Sequence, residues 1–241
     1  MLERTLGVVL HQIRYNDDNV IVNIYTQQHG NVGFIVKTPK QKRGNVKTLL
    51  LRPLNILEID FDFRLSQTLQ RISDMRLHIS YDSLPYDHVK GTLALFLSEI
   101  LYHALKHEME NPPLFQYLYN SLQWLDRSEN GVANFHLVFL LHLTRFLGFW
   151  PNVREYEQGM VFDMRDAVMI NSLPAHGQYL SSEESVFLPR LLRMDYSTIH
   201  LFRFNRQQRA RILDALVDYY RMHIPEIPEL KSLDVLRTVF S

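Results

Sequence analysis

A chain of 241 residues with 46% apolar content is long enough for one or two packed cores, and its 26 basic and 26 acidic residues leave no net charge to favour any class of partner. The absence of cysteine excludes disulfides and thiolate metal centres. The opening MLERTLGVVLHQIRYNDD carries Glu3 and Arg4 beside an apolar run too short for a signal peptide, so a cytoplasmic location is expected.

From Leu6 to about Met75 the hydrophobic period is two. Leu6, Val8 and Leu10 alternate, as do Val20, Val22 and Ile24, then Val32, Phe34 and Val36, while Glu58, Asp60 and Asp62 separate Leu57, Ile59, Phe61 and Phe63. Turn residues punctuate these runs at Asn16 to Asn19, at His29-Gly30-Asn31 and at Thr38-Pro39, and a further extended segment is expected around Thr68 to Ile72. About five short antiparallel strands predict a small closed barrel over residues 1–80, for which the five-stranded OB-fold is the best match.

Helical periodicity begins after the break Tyr81-Asp82-Ser83-Leu84-Pro85. Leu93, Phe96, Leu97, Ile100, Leu101, Ala104 and Leu105 form one stripe, and Pro112-Pro113 open a second helix carrying Leu114, Phe115, Leu118, Leu122 and Leu125. In Asn134 to Pro151, NFHLVFLLHLTRFLGFWP, apolar side chains occupy nearly every side of a helix that Asn134 is expected to cap and Gly148 and Pro151 to end. A helix apolar all round is buried all round, and His136, His142, Thr144 and Arg145 interrupt the run too often for a membrane span, so this is the expected central post of a helical bundle with no membrane partner. A strand pair around Arg165-Asp166, a helix near Ser182 to Leu192, a long helix from Asn205 to about His223 and a closing helix from Ser232 to Phe240 follow. The fold class is therefore α+β: an N-terminal barrel, then a helical domain over residues 86–241 with an irregular or β insertion at about 151–180.

Charge is uneven along the chain. Between Asp18 and Glu58 no acidic residue occurs, yet the interval carries Lys37, Lys40, Lys42, Arg43, Lys47 and Arg52. Its centre, KTPKQKRGNVK, reads as a loop between barrel strands whose cations can reach phosphates, or else as a merely solvated loop. A second basic cluster is Arg190, Arg193, Arg203, Arg206, Arg209 and Arg211; Arg203, Arg206 and Arg209 share a helix face if the helix starts early enough, as a second DNA patch or as local ion pairs.

Signals for chemistry are weak. Glu99, His103 and His107 span about two helical turns, roughly 12 Å, too far for one ion, and read as a solvated face. Asp60 with Asp62, and Asp163 with Asp166, lack a third carboxylate nearby and read as wet strand faces rather than a magnesium site. There is no G-x-S-x-G elbow, P-loop or G-x-G-x-x-G, so no catalysis and no cofactor are expected.

VLHQIRYNDDNVIVNIYTQQHGNVGFIVK (Val9 to Lys37), the basic loop and LRPL (Leu51 to Leu54) resemble the N-terminal OB-fold domain of the bacterial recombination mediator family RecO. The likeness continues in LFLSEILYHAL (Leu95 to Leu105), in Asn134 to Pro151, in VFD (Val161 to Asp163) and in YYRMHIPEIPELKSLDVL (Tyr219 to Leu236), across essentially the whole chain. The resemblance implies a non-enzymatic, nucleoid-associated DNA repair protein that binds single- and double-stranded DNA and anneals complementary strands. With RecR, such a protein helps RecA replace the single-strand-binding protein, whose acidic C-terminal tail the helical domain receives. It places DNA contacts at Lys37, Lys40, Lys42, Arg43 and Lys47. Two departures stand out. Phe135-His136-Leu137 replaces the basic pair that some members carry at the start of the central helix, so that tail anchor does not transfer. Many members hold zinc with four cysteines after the central helix, but Pro151 to Leu180 has none, which leaves packing by Trp150, Tyr156, Phe162, Met169 and Tyr179. The competing readings are a protein adaptor with incidental DNA affinity and a metal-dependent nuclease.

Overall fold

The computed structural model describes residues 2–37 and 49–240. Strands β1 (Leu2–Arg14), β2 (Asn19–Thr26), β3 (Gly30–Lys37), β4 (Ile56–Asp62) and β5 (Leu69–Leu77) close into a barrel in the order β1-β2-β3-β5-β4. Neighbours are antiparallel except β3 and β5, whose parallel pairing closes the barrel, so the expected OB-fold is the fold that forms. The period-two residues Val22, Ile24, Val32, Phe34, Val36, Leu57, Ile59 and Phe61 fill its interior with Val9 and Leu51. A bulge between Val9 and His11 lets β1 pair with β4 along its first half and with β2 along its second. Strand β5 runs five residues past the expected Ile72, because its later half pairs with β4 rather than following an alternating apolar pattern.

By packing, the chain forms two compact units, Met1–Arg127 with Leu230–Leu236 and Ser128–Glu229 with Arg237–Ser241. In the first, α1 (His88–Ala104) starts at Asp87, whose carboxylate accepts from the amides of Val89 and Lys90, and α2 (Pro112–Arg127) follows. The expected stripe from Leu93 to Ala104 is the buried face of α1. A buried polar knot fixes the start of this helical pair: the Asp126 carboxylate accepts from the amides of Asp82, Ser83 and Leu84 at 2.8–3.0 Å, and Lys90 Nζ donates to Ser83 Oγ and the Asp126 carbonyl, both at 2.7 Å. Gly30, at φ +64°, lets the loop after α1 come close, where Asn31 donates to the Glu108 carbonyl; a Cβ there would lie 2.4 Å from that carbonyl oxygen.

The second unit is arranged around α3 (Phe135–Leu147), in which Phe135 to Leu141 are all buried, as are Leu143 and Thr144. Asn134 does not cap it. That residue closes a 3-10 turn at Val132–Asn134, and its Nδ2 donates to the Phe202 carbonyl at 2.7 Å, so the tertiary contact has taken the side chain away from the helix end. Gly148, at φ 87°, ends α3 as expected. A three-stranded sheet of β6 (Val161–Asp163), β7 (Val168–Ile170) and β8 (Tyr179–Leu180), in the order β7-β6-β8, forms the insertion. Phe162 and Met169 are buried in it; Tyr156 and Tyr179 are only half-buried. The single helix expected near Ser182 to Leu192 is two, α4 (Ser182–Ser185) and α5 (Leu188–Leu192), because Pro189 has no amide to continue the first. Helix α6 (Arg206–His223) begins with a capping box between Asn205 and Gln208, and its Tyr219 and Tyr220 hydroxyls donate to the carbonyls of Phe149, just past the end of α3, and of Leu140 in its middle. The last helix, α7 (Lys231–Val239), completes the chain.

Candidate nucleic-acid interface

Of the loop cations singled out in the sequence, Lys40, Lys42, Arg43 and Lys47 lie outside the described residues. Lys37 ends β3 and is exposed, and Arg52, just past the loop, is exposed as well. Register then defines the surface beside Lys37. Because Val22 and Phe34 point into the barrel, Ile21 and Ile35 point out, and in-register partners share a face. Ile13 pairs with Ile21, Ile21 with Ile35 and Ile35 with Arg71, giving one outward row across four strands. The next row toward the β1–β2 turn brings together Asn19 and Lys37, with Tyr15 two residues beyond Ile13. Ile13 is 49% exposed and Tyr15 61%, far more than a barrel needs to leave in water. Below them His11 stacks on Tyr102 of α1, with ring centroids 4.4 Å apart, and closes that end of the face.

The opposite flank of the barrel differs. On β1, β4 and β5 the outward residues form an ion-pair ladder: Arg4 to Asp60 at 2.7 Å, Arg4 to Glu58 at 3.3 Å and Arg76 to Glu58 at 2.7 Å. The hydrogen bond from Arg4 holds the Asp60 carboxyl below its ordinary range. Asp62 is likewise bonded by Arg64 at 2.8 Å. These carboxylates serve guanidinium partners, and among the described residues no group of three His, Cys, Asp or Glu is arranged to hold a metal ion.

The second basic cluster is only partly gathered. Helix α6 begins at Arg206, so Arg203 precedes it and does not share its face; both are exposed. Arg209 is turned inward, where Nη1 donates to the Phe204 carbonyl and Nε is buried. Arg190 sits over the Phe204 ring at 5.7 Å.

Glu99, His103 and His107 are not a solvated face throughout. Glu99 is the cap of α7: its carboxylate accepts from the amides of Lys231 and Ser232, at 3.1 and 2.9 Å, and from the Ser232 hydroxyl. Burial lowers the neighbouring His103 imidazole. Sequence reasoning also missed the outward isoleucine row and Arg71, since only strand register reveals them, and the knot around Asp126, whose partners lie more than 35 residues away.

The Recombination protein O N terminal family model matches residues 1–81, and the Recombination protein O C terminal model matches residues 85–234. The chain is 45% identical over 241 residues to the DNA repair protein RecO of Phocaeicola vulgatus, covering 100% of each, and equally to that of Bacteroides fragilis. It is 32% identical over 239 residues to the DNA repair protein RecO of Porphyromonas gingivalis, covering 97% of each.

Proposed function

Since the chain belongs to the RecO family of DNA repair proteins, we propose that it is a DNA-binding recombination mediator, acting through phosphate contacts from Lys37, Lys40, Lys42, Arg43 and Lys47 beside the barrel. The observation that carries this reading is the acid-free interval from Asn19 to Leu57, which concentrates cations along one stretch of the sequence between β3 and β4, while the acids of β4 are held by Arg4 and Arg76. Cations that screen two phosphate backbones at once let complementary strands approach and anneal; the protein makes and breaks no bond. In the same reading it works with RecR, engages the C-terminal tail of the single-strand-binding protein and helps RecA onto the gap. Arg203 and Arg206 form a separate candidate DNA patch on the second unit, whereas Arg209 serves the fold. A nucleoid-associated place in the cytoplasm fits this role, and among the described residues no helix is long and apolar enough to cross a membrane.

The test is DNA binding at several salt concentrations. If all six loop-region cations met phosphates, log affinity would fall with log salt at a slope near roughly −4 on single strands, at about 0.7 per contact. Changing Lys40, Lys42 and Arg43 together to Ala should flatten the slope by up to about 2 and weaken binding to any sequence alike. A triple variant that binds and anneals DNA with the parental slope would remove the barrel from the reading. Annealing in the presence of single-strand-binding protein with and without its acidic tail tests the partner.

A further inference from the structure

The unit built around α3 holds a cavity that the DNA-binding reading does not use. Leu141, Phe162, Leu180, Leu191 and Leu216 line it, and it offers about 490 Å³ of open space, its mouth included. Its walls are almost wholly apolar, so a base, a sugar or a phosphate would lose its hydrogen bonds there. Two charged residues stand in the lining. Glu184 is already engaged, its carboxylate accepting from the Ser181 amide at 3.0 Å and from the Ser181 hydroxyl at 2.8 Å. Arg211 is exposed and has no hydrogen bond or ion pair among the described residues; Asp214, one turn on, is taken by Arg237 at 2.6 Å. Arg190 stands one turn beyond Phe187, which also lines the cavity. The chemistry that fits is an apolar side chain carried between acidic groups.

The chain itself displays one. Met109, in the loop after α1, is 71% exposed and lies between Glu108 and Glu110, for which the described residues hold no ion pair. A lone exposed methionine is ordinary. This one is presented on a fixed backbone: Tyr25 Oη donates to the Met109 carbonyl at 3.1 Å, the Asn31 amide to the Glu108 carbonyl at 3.1 Å, and Asn31 Nδ2 to the Lys106 carbonyl at 3.2 Å. Little loop entropy is left to lose on docking, and an unbranched thioether adapts to an irregular apolar wall. We propose that the cavity beside Arg211 receives Met109 of a second copy of this chain, with that copy's Glu108 and Glu110 facing Arg211 and Arg190. The two surfaces are different patches, so the contact is head-to-tail, and each copy that joins leaves one cavity and one methionine open to the next. One side chain and two exposed ion pairs make a small, weak contact, so association belongs to high protein concentration.

The test is sedimentation equilibrium of the full chain over a wide concentration range, at low and at high salt. The average mass should rise above the 28.6 kDa of one copy as concentration increases, and fall back when salt screens the ion pairs. Met109→Ala and Arg211→Glu change exposed side chains, so both proteins should fold as the parent does. Each alone should associate at least about tenfold more weakly. Mixed in equal amounts, they separate a head-to-tail contact from any other: Met109→Ala keeps an intact cavity and Arg211→Glu an intact methionine, so pairs should form and nothing larger. Adding Glu110→Arg to Arg211→Glu should restore association. An unmutated protein that stays at one copy at every concentration overturns the proposal; if it then binds the acetylated, amidated peptide Glu-Met-Glu, the cavity belongs to an acidic segment of another protein. Parental association in either single variant, or a mixture no larger than its components, also overturns it, by placing self-association on another face.

Discussion

Helix α3 and the outer row of the barrel use the same kind of residue to opposite ends. Phe139 and Leu143 are fully buried, within a helix whose residues Phe135 to Leu141 are all buried, whereas Ile13 and Tyr15 stand about half in water. The first set fills the core of a unit; the second lies outside the barrel core. Stability should therefore respond to changes in the first set and hardly at all to changes in the second.

The largest effect should come from α3. Phe139→Ala should cost about 3–5 kcal/mol and Leu143→Ala about 2–5 kcal/mol, from lost burial plus the cavity left behind, read by denaturant unfolding. If either variant melted like the parent, the burial contrast would fail at its stronger pole.

Acid should find the weak point of the same helix. Burial, reinforced by the charge of Arg209, pushes the His136 imidazole from its ordinary 6.5 down to about 3, so it is neutral in the folded chain. The unfolded chain binds a proton there below about 6.5 and the folded one does not, so this contribution to stability is complete above that pH and is lost as pH falls toward 3. The loss is at most about 1.4 kcal/mol per pH unit. His136→Phe should flatten the fall in unfolding free energy between neutral pH and about pH 5; an unchanged acid limb would mean that the proton is taken up elsewhere.

How much of this was legible in the sequence follows from the range of the interactions. The barrel strands were visible in the alternation of Val20, Val22 and Ile24 and of Val32, Phe34 and Val36, and α3 in its unbroken apolar run, because periodicity is local. The outer row was not. In VIV at Val20 to Val22 and FIV at Phe34 to Val36 every position is apolar, so the pattern cannot say that Ile21 and Ile35 are the ones left outside. Asn134 read as a cap and Glu99 as a wet side chain because their partners, Phe202 and Ser232, are distant in sequence. The four loop cations lie outside the described residues and were legible only as an acid-free run in the sequence.

Changes to the outer row should barely register in stability. Tyr15→Ala and Ile13→Thr should each stay within about 0.5 kcal/mol of the parent in unfolding, since neither opens a cavity or strands a buried polar group. A cost of 2 kcal/mol or more, on the order of a core substitution, would mean that the row is part of a core after all.

The smallest expected effect is none at all, and it bears on what holds the unit containing α3. The segment β6-β7-β8 carries no cysteine; Phe162 and Met169 are buried in it, Asp163 Oδ1 accepts from the amides of Arg165 and Asp166, and His176 Nε2 lies 3.3 Å from Asp163 Oδ2. A carboxylate and one imidazole are too few ligands for a structural zinc, which takes four. Thermal unfolding with and without chelator should therefore coincide. A structural metal contributes its binding free energy directly to folding, so a drop of several degrees would show that stability assigned to apolar burial around α3 came in part from an ion. The contrast with the barrel face would then have to be redrawn, with Asp163→Ala and His176→Ala as the variants that identify the ligands.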